Sequence, residues 1–244
     1  MSARGLFVTG TDTGVGKTRV AVALIHALRA QGLRVAAMKP VSAGSVSGGL
    51  NEDVVALLQA SNVTADVCDV NPYAFAEPVA PHIAAQQAGV RIDLDKIADA
   101  YSRLAAAADM VVVEGAGGWR VPLNEREDMA DLAQRLGLPI VLVVGLRLGC
   151  LNHALLTAES IASRHLPWGG WVGNHVDSAM THAEENIAAL HARLPAPCLG
   201  VQDFLPDAIS STEAPHTTPR GLQPEVDRSP LVGQWLRLPR TLVF

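Results

Sequence analysis

The chain has 244 residues, of which 49% are hydrophobic and 18% are charged, a balance typical of a compact globular protein rather than a disordered one. This length predicts one large α/β domain with room for a full core. The formal net charge is −5 and there is no run of Lys or Arg. The charge therefore argues against nucleic acid, or an acidic membrane surface, as a partner.

The cysteines and the N-terminus bear on the compartment in which the protein works. Cys68, Cys150 and Cys198 lie far apart in sequence and match no zinc-binding spacing. We interpret them as reduced thiols, which predicts a cytoplasmic protein. The first residues lead directly into an apolar run, so no signal peptide is expected. The longest apolar run, residues 140–145, is far too short to span a bilayer.

Predicted strands and helices alternate along the chain. Short segments with mainly apolar interiors predict strands at 6–9, 34–39, 110–114, 140–144 and 170–174. Helical patterns predict helices at 17–31, 52–60, 81–88, 94–108, 129–136, 151–164 and 182–193. Strands without polar alternation are buried on both faces, so this order predicts a mostly parallel sheet flanked by helices on both faces. In such sheets the ligand binds beyond the carboxyl ends of the strands.

The C-terminal part differs in composition from the rest. Residues 210–230 are dense in Ser, Thr and Pro without apolar periodicity, which predicts a surface arm or a disordered segment. Trp235, Leu236 and the closing residues 242–244 are apolar and could dock on the domain. We therefore divide the chain into a globular domain at 1–205 and a tail at 206–244.

The most informative motif is a glycine, four free positions and then Gly-Lys-Thr. Its residues are Gly10, Thr11, Asp12, Thr13, Gly14, Val15, Gly16, Lys17 and Thr18. A predicted strand before it and a helix after it favour a phosphate-binding P-loop over a glycine-rich turn that binds nothing. The glycines let backbone N–H groups point at phosphate oxygens, and the helix adds its positive N-terminal end. Lys17 would reach the terminal phosphates, and the Thr18 hydroxyl would bind Mg²⁺.

Four more polar residues stand at or near the ends of predicted elements. Glu114 ends a buried strand beside the P-loop, where a carboxylate that organises Mg²⁺ belongs, although a glutamate there could merely cap the next turn. Lys39, followed by proline, would project toward the phosphates or simply reach solvent. Asn51 and Asp53 open a helix, so that a helix cap and a metal ligand are both open for Asp53.

Over residues 6–200 the chain resembles the dethiobiotin synthetase family, because it has these and other motifs in the same order along the sequence. The motifs are Val8-Thr9-Gly10-Thr11-Asp12-Thr13 with Lys17-Thr18, Lys39-Pro40-Val41, Asn71-Pro72-Tyr73, Glu77-Pro78-Val79-Ala80-Pro81-His82, Val113-Glu114-Gly115-Ala116-Gly117-Gly118-Trp119, Leu148-Gly149-Cys150-Leu151-Asn152-His153 and Gly170-Trp171-Val172-Gly173-Asn174. The resemblance implies a P-loop enzyme that uses ATP and Mg²⁺ to join CO2 to 7,8-diaminononanoate, giving dethiobiotin, ADP and phosphate. One amine would form a carbamate, ATP would phosphorylate it, and the second amine would attack the mixed anhydride.

The resemblance also implies residue roles and an assembly. The implied catalytic residues are Thr11, Lys17 and Lys39. The implied ATP-binding residues are Asp12, Thr13, Gly14, Val15, Gly16, Lys17, Thr18 and, for adenine, Asn174. Mg²⁺ would be held by Thr18, Asp53 and Glu114, and substrate by Ser42, Gly149, Cys150, Leu151 and Asn152. In the family the residues around position 150 serve the partner's site, so the resemblance implies a homodimer with shared active sites.

The chain departs from the family pattern in two places. After Val41 the order is Ser42-Ala43-Gly44, and two alternatives are open: Ser42 takes the place of the usual hydroxyl, or that contact is lost. Beyond Gly200, where the family has further nucleotide contacts, residues 201–206 do not match.

Two other kinds of P-loop protein are weighed as alternatives. An amide ligase of the cobyrinate-diamide type generally carries a glutamine-hydrolysing domain, for which 244 residues leave no room. A regulatory ATPase of the ParA/MinD type carries an extra lysine early in the P-loop, where this chain has Thr11, Asp12 and Thr13. No membrane-binding amphipathic tail is evident either. The motifs favour the synthetase over both.

Overall fold

The fold is a six-stranded parallel sheet with helices on both faces. The computed structural model describes residues 5–45, 49–204 and 235–239. Its strands are β1 (Gly5–Gly10), β2 (Val35–Met38), β3 (Val41–Ala43), β4 (Tyr73–Phe75), β5 (Met110–Glu114), β6 (Ile140–Leu146), β7 (Trp168–His175) and β8 (Cys198–Gln202). The main sheet has the order β2-β5-β1-β6-β7-β8, and β3 and β4 form a small parallel pair beside it.

The helices follow the strands in alternation. They are α1 (Lys17–Arg29), α2 (Glu52–Ala60), α3 (Val67–Val70), α4 (Pro81–Gln87), α5 (Leu94–Ala107), α6 (Met129–Leu136), α7 (Cys150–Ser163) and α8 (Ala183–Arg193). All residues of β1, β5 and β6 are buried, and separate hydrophobic clusters cover the two faces of the sheet. The predicted fold class is therefore confirmed.

Most predicted elements occur at or near their predicted bounds, and four additional elements are present. The predicted bounds of α2, β5 and α6 agree with those in the structure. Those not predicted are β3, β4, α3 and β8. The first three have only three or four residues, too few to show a period. Strand β8 has the sequence Cys-Leu-Gly-Val-Gln, and its central Gly200 adopts φ +155°, a conformation that glycine adopts readily. A glycine in the middle of so short a segment weakens the sequence signal for a strand.

Parallel pairing brings the carboxyl ends of the central strands to one edge. The backbone N–H of Thr11 donates to Val143 O at 3.0 Å, and that of Gly115 donates to Val8 O at 2.9 Å. The sheet bonding therefore continues past β1 and β5 into the segments that follow them. This anchors the loop after β1 and the end of β5 side by side.

Part of the C-terminal tail packs against the edge strand β8. The N–H of Arg237 donates to Leu199 O at 2.7 Å, and Leu236 is buried in the cluster that also holds α1. Trp235 lies so close to Gly200 that any Cβ there would collide with it. The prediction that Trp235 and Leu236 dock on the domain is thus confirmed, while residues 206–234 and 242–244 lie outside the described residues. Within the described ranges, no helix is both long and apolar enough to cross a membrane.

Candidate active site

The P-loop between β1 and α1 has the shape of a phosphate cradle. Gly14 and Gly16 adopt φ values of +72° and +87°, in the left-handed region that glycine tolerates best. Lys17 is buried, and its Nζ lies back across the loop to donate to Asp12 O at 2.9 Å. The loop is therefore closed around its own lysine, with the N-terminus of α1 behind it.

Four charged or polar side chains from four segments converge on the start of α1. The Thr18 hydroxyl lies 2.8 Å from Asp53 Oδ1 and 2.9 Å from Glu114 Oε1. Lys39 Nζ donates to Asp53 Oδ2 at 2.8 Å and to Glu114 Oε1 at 2.5 Å. Lys39 and Glu114 are 5% and 0% exposed, so this is a buried ion pair and not a lysine that merely reaches solvent.

The cap of α2 is Asn51 and not Asp53, which lies in the first turn of the helix. Asn51 is the N-cap of α2, and its side chain accepts a hydrogen bond from the N–H of Asp53 at 3.0 Å. This leaves the Asp53 carboxylate free to turn inward from the first turn of the helix, where it meets Thr18 and Lys39. The cap therefore positions the acid.

The pKa values of this cluster reflect burial opposed by neighbouring charge. Burial would lower the pKa of Lys39, but the carboxylates of Glu114 and Asp53 raise it above its ordinary value. Burial, with Asp53 beside it, raises the pKa of Glu114 against the effect of Lys39. Burial would raise the pKa of Asp53, but Lys39 and the Thr18 hydrogen bond hold that pKa below its usual range.

Lys17 is the second buried cation of the site. Burial, and next the charge of Lys39, lower its pKa to about 8. An amine in this state gains most from an anionic ligand, because phosphate oxygens would replace the water that it has lost. The Lys17 amine therefore suits an anionic ligand such as the phosphates of a nucleoside triphosphate.

A cavity of about 470 Å³ opens over this cluster. Gly14, Lys17 and Thr18 line it at one side, and Asn174 and Phe204 also belong to its wall. The Asn174 side chain, at the end of β7, donates through Nδ2 to Val15 O at 2.9 Å. Its Oδ1 is buried with no hydrogen-bond partner among the described residues, so an acceptor remains there for a ligand.

Thr11 and Asp12 lie on the outer side of the P-loop. With Thr13 they line a second cavity of about 390 Å³, whose far wall includes Trp119 and Leu156. Asp12 accepts from the N–H of Thr13 at 2.7 Å and from Arg147 Nη2 at 2.5 Å. The Thr13 hydrogen bond and the Arg147 guanidinium lower the pKa of Asp12 despite partial burial.

Comparison with known proteins identifies the lineage of this site. A family model described as an AAA domain matches residues 4–212. The ATP-dependent dethiobiotin synthetase of Nitrosospira multiformis is 53% identical over 201 residues, which are 82% of this chain and 88% of the relative. That of Pseudomonas paraeruginosa is 51% identical over 220 residues, 88% and 96% of the two chains. The chain belongs to the dethiobiotin synthetase family.

Two solved structures with a similar fold are those of MinD proteins. A MinC:MinD complex from Aquifex aeolicus superposes with a TM-score of 0.51 at 18% identity, covering 82% of this chain and 81% of that one. MinD from Pyrococcus horikoshii in complex with Mg-ADP gives 0.52 at 18% identity, with 81% and 80% covered. At this identity the likeness shows the P-loop fold alone, whereas the sequence relatives favour the synthetase over the regulatory ATPase.

The remaining predicted site residues do not line the cavity over the cluster. Gly149, at φ +93, is the N-cap of α7, and Cys150 is buried with its N–H donated to Arg147 O at 3.0 Å. Leu151 and Asn152 follow in the first turn, which contains no acidic residue. Ser42 is buried and donates its hydroxyl hydrogen to Asn71 Oδ1 at 2.9 Å.

Two residues that contact the site were not predicted as site residues. Arg147 comes directly after β6 and binds Asp12, and Asn71 binds Ser42. The position of Arg147 just beyond the carboxyl end of a buried strand was a usable signal. Asn71 belongs to the motif Asn71-Pro72-Tyr73, but the neighbouring sequence does not indicate that its side chain contacts Ser42 and the backbone of Lys39.

Proposed function

We propose that the chain is an ATP-dependent dethiobiotin synthetase, which closes 7,8-diaminononanoate and CO2 into dethiobiotin with release of ADP and phosphate. The observation that carries this is the convergence of Lys17 and Lys39 with Asp53 and Glu114 around Thr18, at the P-loop of a chain in that family. ATP is the co-substrate and Mg²⁺ the proposed metal.

The donor set supports Mg²⁺. Thr18, Asp53 and Glu114 offer one hydroxyl and two carboxylates, the hard oxygen ligands that Mg²⁺ takes together with phosphate and water. Oε2 of Glu114 is buried with no hydrogen-bond partner among the described residues, and a cation would satisfy it. When bound, the metal would neutralise the β- and γ-phosphates.

Lys17 and Lys39 would bring two anions together. A carbamate and a triphosphate repel each other, so positive charge must hold them before phosphoryl transfer. The P-loop N–H groups and Lys17 would bind the phosphates, while Lys39 would stabilise charge on the transferred group. The carbamate oxygen attacks the γ-phosphorus and ADP leaves. The second amine then attacks the carbonyl carbon, loses a proton and expels phosphate as the ring closes.

The nucleotide and the diamine would occupy two adjoining cavities, both of which are lined by Thr13 of the P-loop. Adenine would meet Oδ1 of Asn174 in the larger cavity, where an acceptor suits an exocyclic amine. Thr11 lines the second cavity, which supports a contact with the diamine and its carbamate rather than with the base. Ser42 is proposed as a further substrate contact, although its hydroxyl hydrogen is held by Asn71.

The distal carboxylate would bind at the N-terminus of α7, in a homodimer with shared sites. The residues proposed for this are Gly149, Cys150, Leu151 and Asn152. Positive helix ends bind carboxylates, and no acidic residue opposes one there. Leu148 is 96% exposed and Leu156 57% exposed beside this turn, which supports burial against a second copy. We further propose that residues 1–205 form the catalytic unit and that the enzyme is cytoplasmic.

The test is a product assay on the purified protein with Mg-ATP, bicarbonate and 7,8-diaminononanoate, read by mass spectrometry. Dethiobiotin with an equal amount of ADP is the expected result, and both should vanish when the diamine is omitted. Lys17→Ala serves as the inactive control. ADP formation without dethiobiotin, unchanged by omission of the diamine, would contradict the proposal and favour a regulatory ATPase.

A further inference from the structure

The backbone of Lys39 is held on both sides by two consecutive residues. Its N–H donates to Val70 O at 2.8 Å, and its carbonyl accepts from Asn71 Nδ2 at 2.6 Å. Val70 ends α3 and Asn71 follows as its C-cap, more than thirty residues along the chain. Asn71 is 7% exposed, so this contact is made away from solvent.

The orientation of the Asn71 amide follows from its partners. Nδ2 faces two carbonyl oxygens, those of Lys39 at 2.6 Å and Tyr73 at 3.2 Å, and only the NH2 end can donate to them. Oδ1 is thereby turned toward Ser42, whose hydroxyl donates to it at 2.9 Å. One side chain thus joins the end of β2 to both strands of the β3–β4 pair.

Lys39 needs such support because it belongs to neither neighbouring strand. β2 ends at Met38 and β3 begins at Val41, and Pro40 between them has no N–H to donate. The carbonyl of Pro40 accepts from the N–H of Tyr73 at 3.2 Å, which adds to the same contact region. The segment that carries the lysine is therefore fixed by residues 70–73 and not by its own sheet.

We infer that Asn71 is a positioning residue for catalysis: by holding the Lys39 carbonyl, it keeps Lys39 Nζ at the carboxylates and at the proposed phosphate site. This inference rests on the proposed role of Lys39 in the synthetase reaction. Asn71 touches no reacting group and acts through the lysine. A displacement of about 1 Å in a charge-stabilising group can lower a rate about 100-fold.

The chain offers a matched control at the opposite end of β2. Asn62 Oδ1 accepts from the N–H of Val35 at 2.7 Å, and its Nδ2 donates to Leu33 O at 3.1 Å. Asn62→Ala removes the same kind of bridge from the same strand, far from Lys39. Both alanine variants should lower the melting temperature, but only Asn71→Ala should affect catalysis.

The expected result for Asn71→Ala is a kcat for dethiobiotin formation about 10- to 100-fold lower, with the KM for ATP within about 2-fold of wild type. Asn71→Asp keeps an acceptor for Ser42 but cannot donate to the Lys39 carbonyl, so its kcat should fall as far as that of Asn71→Ala. Asn62→Ala should retain kcat within about 2-fold. A wild-type kcat in Asn71→Ala, or equal kcat losses in both alanine variants, would overturn the inference.

Two further measurements separate this inference from the proposed function. In a Lys39→Ala background, Asn71→Ala should have no additional effect on kcat, because the group that it positions is gone. Hydrogen exchange needs no substrate. The Lys39 N–H donates to Val70 O, and this segment should loosen when the neighbouring Asn71 amide no longer holds the Lys39 carbonyl. The Lys39 N–H should therefore exchange faster in Asn71→Ala and at the wild-type rate in Asn62→Ala. A wild-type protein that makes no dethiobiotin refutes the proposed function, whereas unchanged exchange at Lys39 refutes the positioning role alone.

Discussion

Lys39→Ala should destabilise the protein as well as slow it, because it leaves a carboxylate buried without its cation. Glu114 is 0% exposed, and Lys39 Nζ is 2.5 Å from its Oε1. Asp53 is less affected, since its side chain is 41% exposed and water can reach it. Removing one partner of a buried ion pair costs about 3–5 kcal/mol. For a chain of this size that corresponds to a fall of roughly 6–20 °C in melting temperature.

The size of this loss should depend on pH. Burial and Asp53 already raise the pKa of Glu114, whereas Lys39 and, to a smaller extent, the Thr18 hydrogen bond lower it, so removal of Lys39 raises the pKa further. A carboxyl whose pKa is higher in the folded protein holds its proton longer when folded than when unfolded. Stability is then lost as pH rises from the unfolded value of about 4.3 toward the folded pKa. Lys39→Ala should be nearly harmless near pH 4.5 and worst near pH 8.

The assay is urea unfolding of wild type, Lys39→Ala, Glu114→Gln and the double variant, in EDTA at several pH values. Glu114→Gln removes the stranded charge, so the double variant should recover most of the stability that Lys39→Ala loses at pH 8. Additive losses in the double variant would refute the reasoning, and so would a loss in Lys39→Ala that is the same at pH 5 and pH 8.

Three more results are expected. Binding of Mg-ATP should weaken as pH rises above about 8, because phosphates raise the pKa of Lys17 and the complex must take up a proton, whereas Lys17→Arg should abolish this pH dependence in calorimetric titrations. Gly16→Ala should bind nucleotide more weakly than Gly14→Ala, since both strain the loop but only a Cβ at Gly16 overlaps the Asn174 amide; equal affinities would contradict this. Deleting residues 206–244 should lower the melting temperature by roughly 4–10 °C, because Leu236 leaves the core and edge strand β8 loses its cover; an unchanged melting curve would show that the docked segment contributes nothing.

The helices that were predicted with the correct bounds begin or end at recognisable capping residues. Helix α2 begins after the cap Asn51, and α6 begins after Asp128, which forms a capping box with Asp131, and ends at Gly137 in the left-handed region. The strands β1, β2, β5, β6 and β7 were recognisable because most of their residues are apolar and buried, without polar alternation. Local chemistry marks such elements before the rest of the chain is in place.

Elements that exist only through tertiary pairing were not predictable in this way. Residues 41–43 form a strand because residues 73–75 lie beside them, and neither segment has a pattern of its own. The contact of Asn71 with the Lys39 carbonyl is of the same kind, since it joins a helix end to a loop across more than thirty residues. The sequence showed Asn71 only as part of a motif, and it did not show that the Asn71 side chain contacts the Lys39 carbonyl.

The site itself illustrates how distances settle alternatives that residue types leave open. A glutamate at a strand end, a lysine before a proline and an acid in a first helical turn each had an ordinary structural interpretation. In the structure these side chains lie within hydrogen-bonding distance of Thr18 or of one another, so they form one cluster and are not three separate structural features. It also limits what Lys39 can do. The two carboxylates hold its Nζ, so in the proposed reaction we expect Lys39 to turn toward a transferred phosphate when another cation neutralises Asp53 and Glu114. The ion pair that stabilises Glu114 in the core would then be the contact that loosens during turnover, and we expect stability and catalysis to respond to Lys39 for the same electrostatic reason.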